Sequence, residues 1–194
     1  MHGLMNRAVQ CFLTDTYGAA LWRSVAESTD LSLSGFESVL VYDDAVTDAV
    51  IAAAGTRLDK SRDALLEDLG TYLVSHQNTE ALRRLLRFGG ENFIEFLHSL
   101  DDLPGRARLA VPDFDMPAFE LRDLSDGRFR LVCRWHQSGF SFVMMGVLRA
   151  LADDYGALVF LDHEGESGDE EHISIQLLET EFAQGRSFDL AAGL

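Results

Sequence analysis

The sequence predicts an α+β fold, helices first and strands after, on three observations. Apolar residues recur at helical spacing through the first hundred positions, as at Leu4, Met5, Ala8, Val9 and Phe12. Two stretches that alternate with period two flank Ser125-Asp126-Gly127, which reads as a hairpin turn. A long apolar run opens at Gly139, and two more strand-like stretches follow it.

Taken in order, residues 2–13 form the first helix, and Thr14-Asp15-Thr16 break its stripe. A second helix covers 17–28, with Ala20, Leu21 and Val25 inward and Trp22 beside them. Residues 29–44, rich in Ser, Asp and Gly, read as a loop. Asp44 is placed to cap the next helix, because a carboxylate accepts from the free amides of a first turn. That helix spans 45–54 and stops at Gly55. Another starts at Asp59 or Ser61 and carries Leu65, Leu66, Leu69, Tyr72 and Leu73. Gly70 inside it costs about 1 kcal/mol relative to alanine, a cost that suits close helix packing. Asn78 caps a short helix to Arg87, and Gly89-Gly90 separate it from one over 91–103 that lines up Phe93, Phe96, Leu97, Leu100 and Leu103. Strands follow at 118–123 and 129–137, a helix from Gly139 to about Ala152, and strands at 156–161 and 172–178. Residues 162–171 read as an acidic loop, which would hold a cation only if folded tightly, and the tail beyond Gly185 as frayed.

With 194 residues, nearly half of them apolar, and only 3 prolines, the chain suits one packed domain, placed at 1–182 with a tail at 183–194. No basic-then-apolar leader opens it and no apolar run approaches the roughly 18 residues of a membrane span, so no membrane is expected and a cytoplasmic location is. Cys11 and Cys133 are too far apart in sequence to suggest a thiolate zinc site or a disulfide framework, and read as buried free thiols. The 32 acidic and 16 basic residues give a formal charge of -16, which disfavours nucleic acid. Two small basic clusters, Arg83, Arg84 and Arg87, and Arg128, Arg130 and Arg134, are better explained as solvated faces or protein-docking patches.

Several motifs together carry a resemblance: a Met-His-Gly start, Gly18-x-x-x-Trp22, Tyr42-Asp43-Asp44, Leu-Asp-Asp-Leu-Pro at 100–104, the 112–119 segment, and Cys133-Arg-Trp-His-Gln-Ser-Gly139 leading into a Gly-rich apolar helix. The chain resembles the H-NOX family of heme nitric oxide and oxygen sensors, bacterial proteins that also form the regulatory head of animal soluble guanylate cyclases. The resemblance runs from Met1 to about Thr180 and implies a helical N-terminal half followed by a four-stranded antiparallel sheet with helices packed over it. It also implies a heme site whose chemistry is missing here. The family's helix ending in Leu-Asp-x-Leu is followed by the histidine that ligates iron, and that position is Pro104. Proline has no lone pair to offer, its nitrogen being part of a peptide bond. The family's Tyr-x-Ser-x-Arg propionate clamp aligns with Cys133, Trp135 and Gln137.

Heme b is therefore disfavoured. The first functional reading is a non-catalytic sensor or regulatory domain whose cavity takes a small apolar molecule, lined by Phe93, Leu97, Pro104, Pro117, Cys133, Trp135, Gln137, Met144 and Met145, with Phe140 beside them. A second is a cavity-free interaction module. A third keeps heme and senses gas through a non-family ligand, His98, His136 or Cys133, although His98 lies about 120° around the helix from position 104. Arg134 cannot substitute in the clamp without a one-residue register shift that would turn Phe129, Leu131 and Trp135 outward. The resemblance implies a histidine kinase or a cyclic-dinucleotide signalling enzyme as partner. No phosphate loop, nucleophile elbow or His-Glu-x-x-His is present, and neither His136 nor His163 has a nucleophile in a recognisable pattern, so no enzyme is expected.

Overall fold

The computed structural model describes residues 1–29, 31, 35–180, 182 and 185. The tail beyond Gly185, expected to be frayed, lies outside these residues. The chain divides into two compact units, Met1–Leu69 and Gly70–Leu194.

The first unit is helical: α1 (Gly3–Tyr17), α2 (Ala19–Ser28), α3 (Asp44–Leu58) and the first half of α4 (Arg62–Ser75). Its core holds Phe12, Leu13, Trp22, Val25, Val50 and Ala54. The expected break at Thr14-Asp15-Thr16 does not occur. Thr14 turns its hydroxyl back onto the Gln10 carbonyl at 2.8 Å and the helix continues to Gly18, whose φ of 93° ends it. Ala20 is exposed, and Val25, Ala26 and Trp22 form the inward stripe instead. The cap of α3 is Asp43, accepting from the Ala45 amide at 2.9 Å, while Asp44 pairs with the Met1 amino group at 2.5 Å. Helix α3 also runs through Gly55 to Leu58, closed by Asp59 in a left-handed conformation. Two buried polar contacts tie this unit together: Thr47 to Asn6 at 2.6 Å, and the Phe36 amide to the Gln10 side chain at 3.0 Å.

The second unit contains α5 (Glu80–Arg87), α6 (Phe93–His98), α7 (Leu103–Ala110), β1 (Ala118–Asp123), β2 (Arg128–Arg134), α8 (Phe140–Tyr155), β3 (Leu158–Ser167) and β4 (Glu170–Glu179). The strands form one antiparallel sheet in the order β1-β2-β4-β3. Its inner face, with Phe129, Leu131, Cys133, Ile173 and Ile175, packs with Met144, Leu148 and Leu151 of α8 and with Phe96, Leu97 and Leu100 in one apolar cluster. Each such side chain contributes roughly 1.5–3 kcal/mol when fully buried. Gly70 lets α4 meet α8: a Cβ there would lie 1.9 Å from the Val143 carbonyl oxygen.

Four sequence expectations change in this unit. Asn78 sits in a 3-10 turn, and Thr79 takes the N-cap position of α5 with its hydroxyl donating back to the Tyr72 and His76 carbonyls and not capping the helix amides. The helix expected over 91–103 is broken into α6, a 3-10 turn at Leu100–Asp102, and α7, which continues past Pro104. The second strand ends at Arg134, so Trp135 and Gln137 lie beyond it. The expected acidic loop at 162–171 is mostly strand, because a bulge between His163 and Gly165 absorbs its irregularity and leaves a tight hairpin at Gly168-Asp169.

Candidate functional site

Five of the nine side chains named as cavity lining meet in the apolar cluster: Phe93, Leu97, Cys133, Met144 and Met145. Helix α6 supplies the first two, capped by Asn92, whose side chain accepts from the Glu95 amide at 3.0 Å. Strand β2 supplies Cys133 and α8 the methionines, whose flexible thioethers fill irregular space. All five are at most 7% exposed. Pro117 is buried just ahead of β1. Trp135 and Gln137 are half-buried, and Trp135 meets Phe140 edge-on with ring centroids 5.1 Å apart. Phe140 in turn lies 6.1 Å from Phe119. In the first unit, Val9, Phe12, Leu13 and Leu65 help to line a small apolar cleft of about 10 Å³, which none of the nine residues reaches.

The turn that would carry an axial ligand is firmly held. Asp101 accepts from the Leu121 amide of β1 at 2.9 Å, and Arg106 donates to the Ser99 carbonyl at 3.0 Å. Pro104 is the second residue of α7, where a helix amide has no intrahelical partner and proline costs little. Leu100, Leu103, Pro104 and Ala107 are all buried, at the spacing of one helical face. The position that the resemblance aligns with the family's iron ligand thus faces inward, and its side chain carries no donor atom.

No other candidate replaces it. His98 and His136 are exposed, and His98 packs its ring edge-on to Phe129 at 6.1 Å. Cys133 lies four residues farther along the same strand, about 13 Å away. Burial, with the Glu171 charge behind it, pushes the Cys133 thiol well above its ordinary range and disfavours the thiolate that binds metal. Among the described residues no cluster of three or more His, Cys, Asp or Glu is arranged to hold a metal ion.

Among the described residues, the arginines of β2 do not supply the cationic half of a clamp on the inner face. Arg134 points to the outer face, donating to Glu170 at 2.6 Å and to Glu120. Arg122 also donates to Glu120 at 2.6 Å, and these two guanidinium groups, Arg122 first, hold its carboxyl down to about 2. Arg130 is paired with Glu164 at 2.6 Å. The residues present do not fit heme held as the family holds it.

One residue that the sequence did not single out closes the inner face. Glu171, opposite Cys133 in the ladder and 6% exposed, accepts from the Ser141 amide at 2.8 Å and from the Gly139 amide. Its carboxylate occupies the anion-favouring end of α8. Nothing in an acidic run marks one member as a buried cap. The ensemble offers apolar and thioether contact, with the Cys133 thiol held protonated by burial and the Glu171 carboxylate engaged by the Gly139 and Ser141 amides.

A family model described as Haem-NO-binding matches residues 2–162. The chain is similar to soluble guanylate cyclase 89Db of Drosophila melanogaster, 23% identical over 158 residues that form 81% of this chain and 24% of the relative. It is also similar to guanylate cyclase soluble subunit beta-2 of Rattus norvegicus, 27% identical over 118 residues, 57% of this chain and 17% of the relative. The chain thus spans about a quarter or less of the length of these relatives. Among solved structures it is similar to an H-NOX protein from S. oneidensis in the Fe(II)NO ligation state, with a TM-score of 0.77, 15% identity, and coverage of 92% of this chain and 100% of that one. An Fe(II) unliganded H-NOX mutant from K. algicida gives a TM-score of 0.76 at 19% identity, covering 92% of this chain and 97% of that one. At those identities the structures speak for the fold, and the family model speaks for descent: this chain belongs to the haem-NO-binding, or H-NOX, family.

Proposed function

We propose that this H-NOX domain is a non-catalytic regulatory module that works without heme held in the family's manner and takes a small apolar molecule in its interior. The observation that carries the reading is Pro104, buried on the inward face of α7 where the resemblance requires an imidazole. The apolar and thioether character of Phe93, Leu97, Cys133, Met144 and Met145, with Pro104, Pro117, Trp135 and Gln137 around them, sets the chemistry of the occupant. Its partner is a signalling enzyme of the histidine kinase or cyclic-dinucleotide class. The curated relatives are guanylate cyclases, which favours a role in controlling nucleotide signalling.

A second reading, an interaction module with no occupant, is favoured by how completely those five core side chains are already buried. The test begins with an absorption spectrum of protein expressed with ample heme, then a hemin titration of the heme-free form. A stoichiometric Soret band that shifts with carbon monoxide or nitric oxide overturns both readings. A flat spectrum, followed by mass spectrometry of organic extracts from the native host, separates them: a bound apolar molecule supports the sensor, and none supports the module.

A further inference from the structure

The two edges of the sheet are finished differently. At β1 the Asp101 carboxylate covers the Leu121 amide. At β3 the pairing pattern leaves a row of main-chain groups open. In an antiparallel ladder a residue directs its N–H and C=O to one side, and its neighbours direct theirs to the other. The Leu177 amide donates to the Gly127 carbonyl at the β2 side, at 2.8 Å, so Gln176 and Ser174 face β3 and bond with their partners Phe160 and Asp162. Val159, Leu161 and His163 therefore present their main-chain groups to the open edge, and no hydrogen bond to those groups comes from another described residue.

Edges of this kind are normally blunted by bulges and charge. Here the bulge between His163 and Gly165 protects only the far half of β3. Residues 158–161 carry no charge, Phe160 is 60% exposed, and Leu178 beside it on β4 is 52% exposed. The next residue on that face, Asp162, has an exposed carboxylate with no cation paired to it among the described residues, since Arg130 is tied to Glu164. A second copy of this chain would bring its own Asp162 and a formal charge of -16 to the contact, whereas a cationic segment is attracted.

We propose that β3 accepts an added strand from a protein partner, an extended segment that sets an apolar side chain against Phe160 and a lysine or arginine against Asp162. Main-chain bonds supply the binding and the two side-chain positions supply the choice of sequence. The surface is separate from the interior considered above and does not rest on what that interior holds.

The probe is a capped peptide, Lys-Thr-Val-Thr-Lys-Thr, whose valine and lysines share the one face that meets Phe160 and Asp162, against a counterpart with glutamate at every basic position, added to the whole chain and followed by amide hydrogen exchange in NMR and by fluorescence anisotropy. The basic peptide slows exchange at Val159, Leu161 and His163 and binds about tenfold or more tighter than the acidic one. Asp162→Lys reverses that preference and Phe160→Asp abolishes binding, while both variants melt at the wild-type temperature because the altered side chains are exposed. Equal binding of the two peptides, or protection only at other amides, overturns the proposal. So does slow exchange at the same three amides without peptide in a protein that sediments as a dimer, which assigns the edge to a second copy.

Discussion

The two faces of β2 differ in how they handle charge. Inward, Phe129, Leu131 and Cys133 join an apolar cluster, and the Glu171 carboxylate opposite Cys133 caps the first turn of α8. Outward, Arg130 and Arg134 are neutralised by Glu164, Glu170 and Glu120. The lesson is that basic residues in this strand say little about an anionic ligand, because the register directs them to the solvent side. A binding clamp needs its cation on the other parity.

Truncation on the inner side gives the largest effect. Leu131→Ala removes a fully buried side chain and is expected to cost about 4 kcal/mol, read by urea denaturation. Glu171→Ala strands the buried Gly139 and Ser141 amides and is expected to cost about 2 kcal/mol, with Glu171→Gln recovering part of it through its amide oxygen. If Glu171→Ala proved neutral, the inner carboxylate would be no cap and the contrast between the faces would fail. Arg134→Ala, on the solvent side, is expected to cost less than about 1 kcal/mol, since exposed ion pairs contribute little. The smallest effect is that of Glu120. Its folded pKa lies below its ordinary value, so its contribution is complete above about 4.5 and is lost as the pH falls towards 2. An NMR titration of its carboxyl carbon with a midpoint near 2 sharpens the contrast, and a midpoint near 4.5 removes the outer network.

Much of the fold was legible because local periodicity carries it. The helix-then-strand order, β1, the Ser125-Asp126-Gly127 turn and the start of α8 at Gly139 all follow from spacing and turn chemistry. The break between α6 and α7 was not legible, since Leu97, Leu100 and Leu103 keep one apolar face whether the turn between them is α or 3-10. The end of β2 was hidden for a similar reason. Alternation continues through Trp135 and Gln137, and the Trp135 amide still bonds the Asp169 carbonyl at 3.1 Å, although the strand stops at Arg134. At the site, Phe93, Leu97, Cys133, Met144 and Met145 were grouped by the family resemblance and not by spacing, which marks their faces without showing a cavity, while Glu171 was invisible because its role depends on a helix thirty residues away in sequence. Density of charge made 162–171 look like a loop, whereas β3 and β4 carry most of those residues as a hairpin.

The close approach at Gly70 bears on how freely this chain can change over generations. The Val143 carbonyl oxygen and the Val147 amide stand 1.9 and 3.0 Å from where a Cβ would be, so the obstacle is backbone and has no rotamer to yield. Gly105, by contrast, has nothing within 4 Å of its missing Cβ. In a library holding every residue at both positions, survivors of a folding selection would keep a single letter at 70 and a broad alphabet at 105. Two glycines that look alike in the sequence would leave opposite records in its descendants.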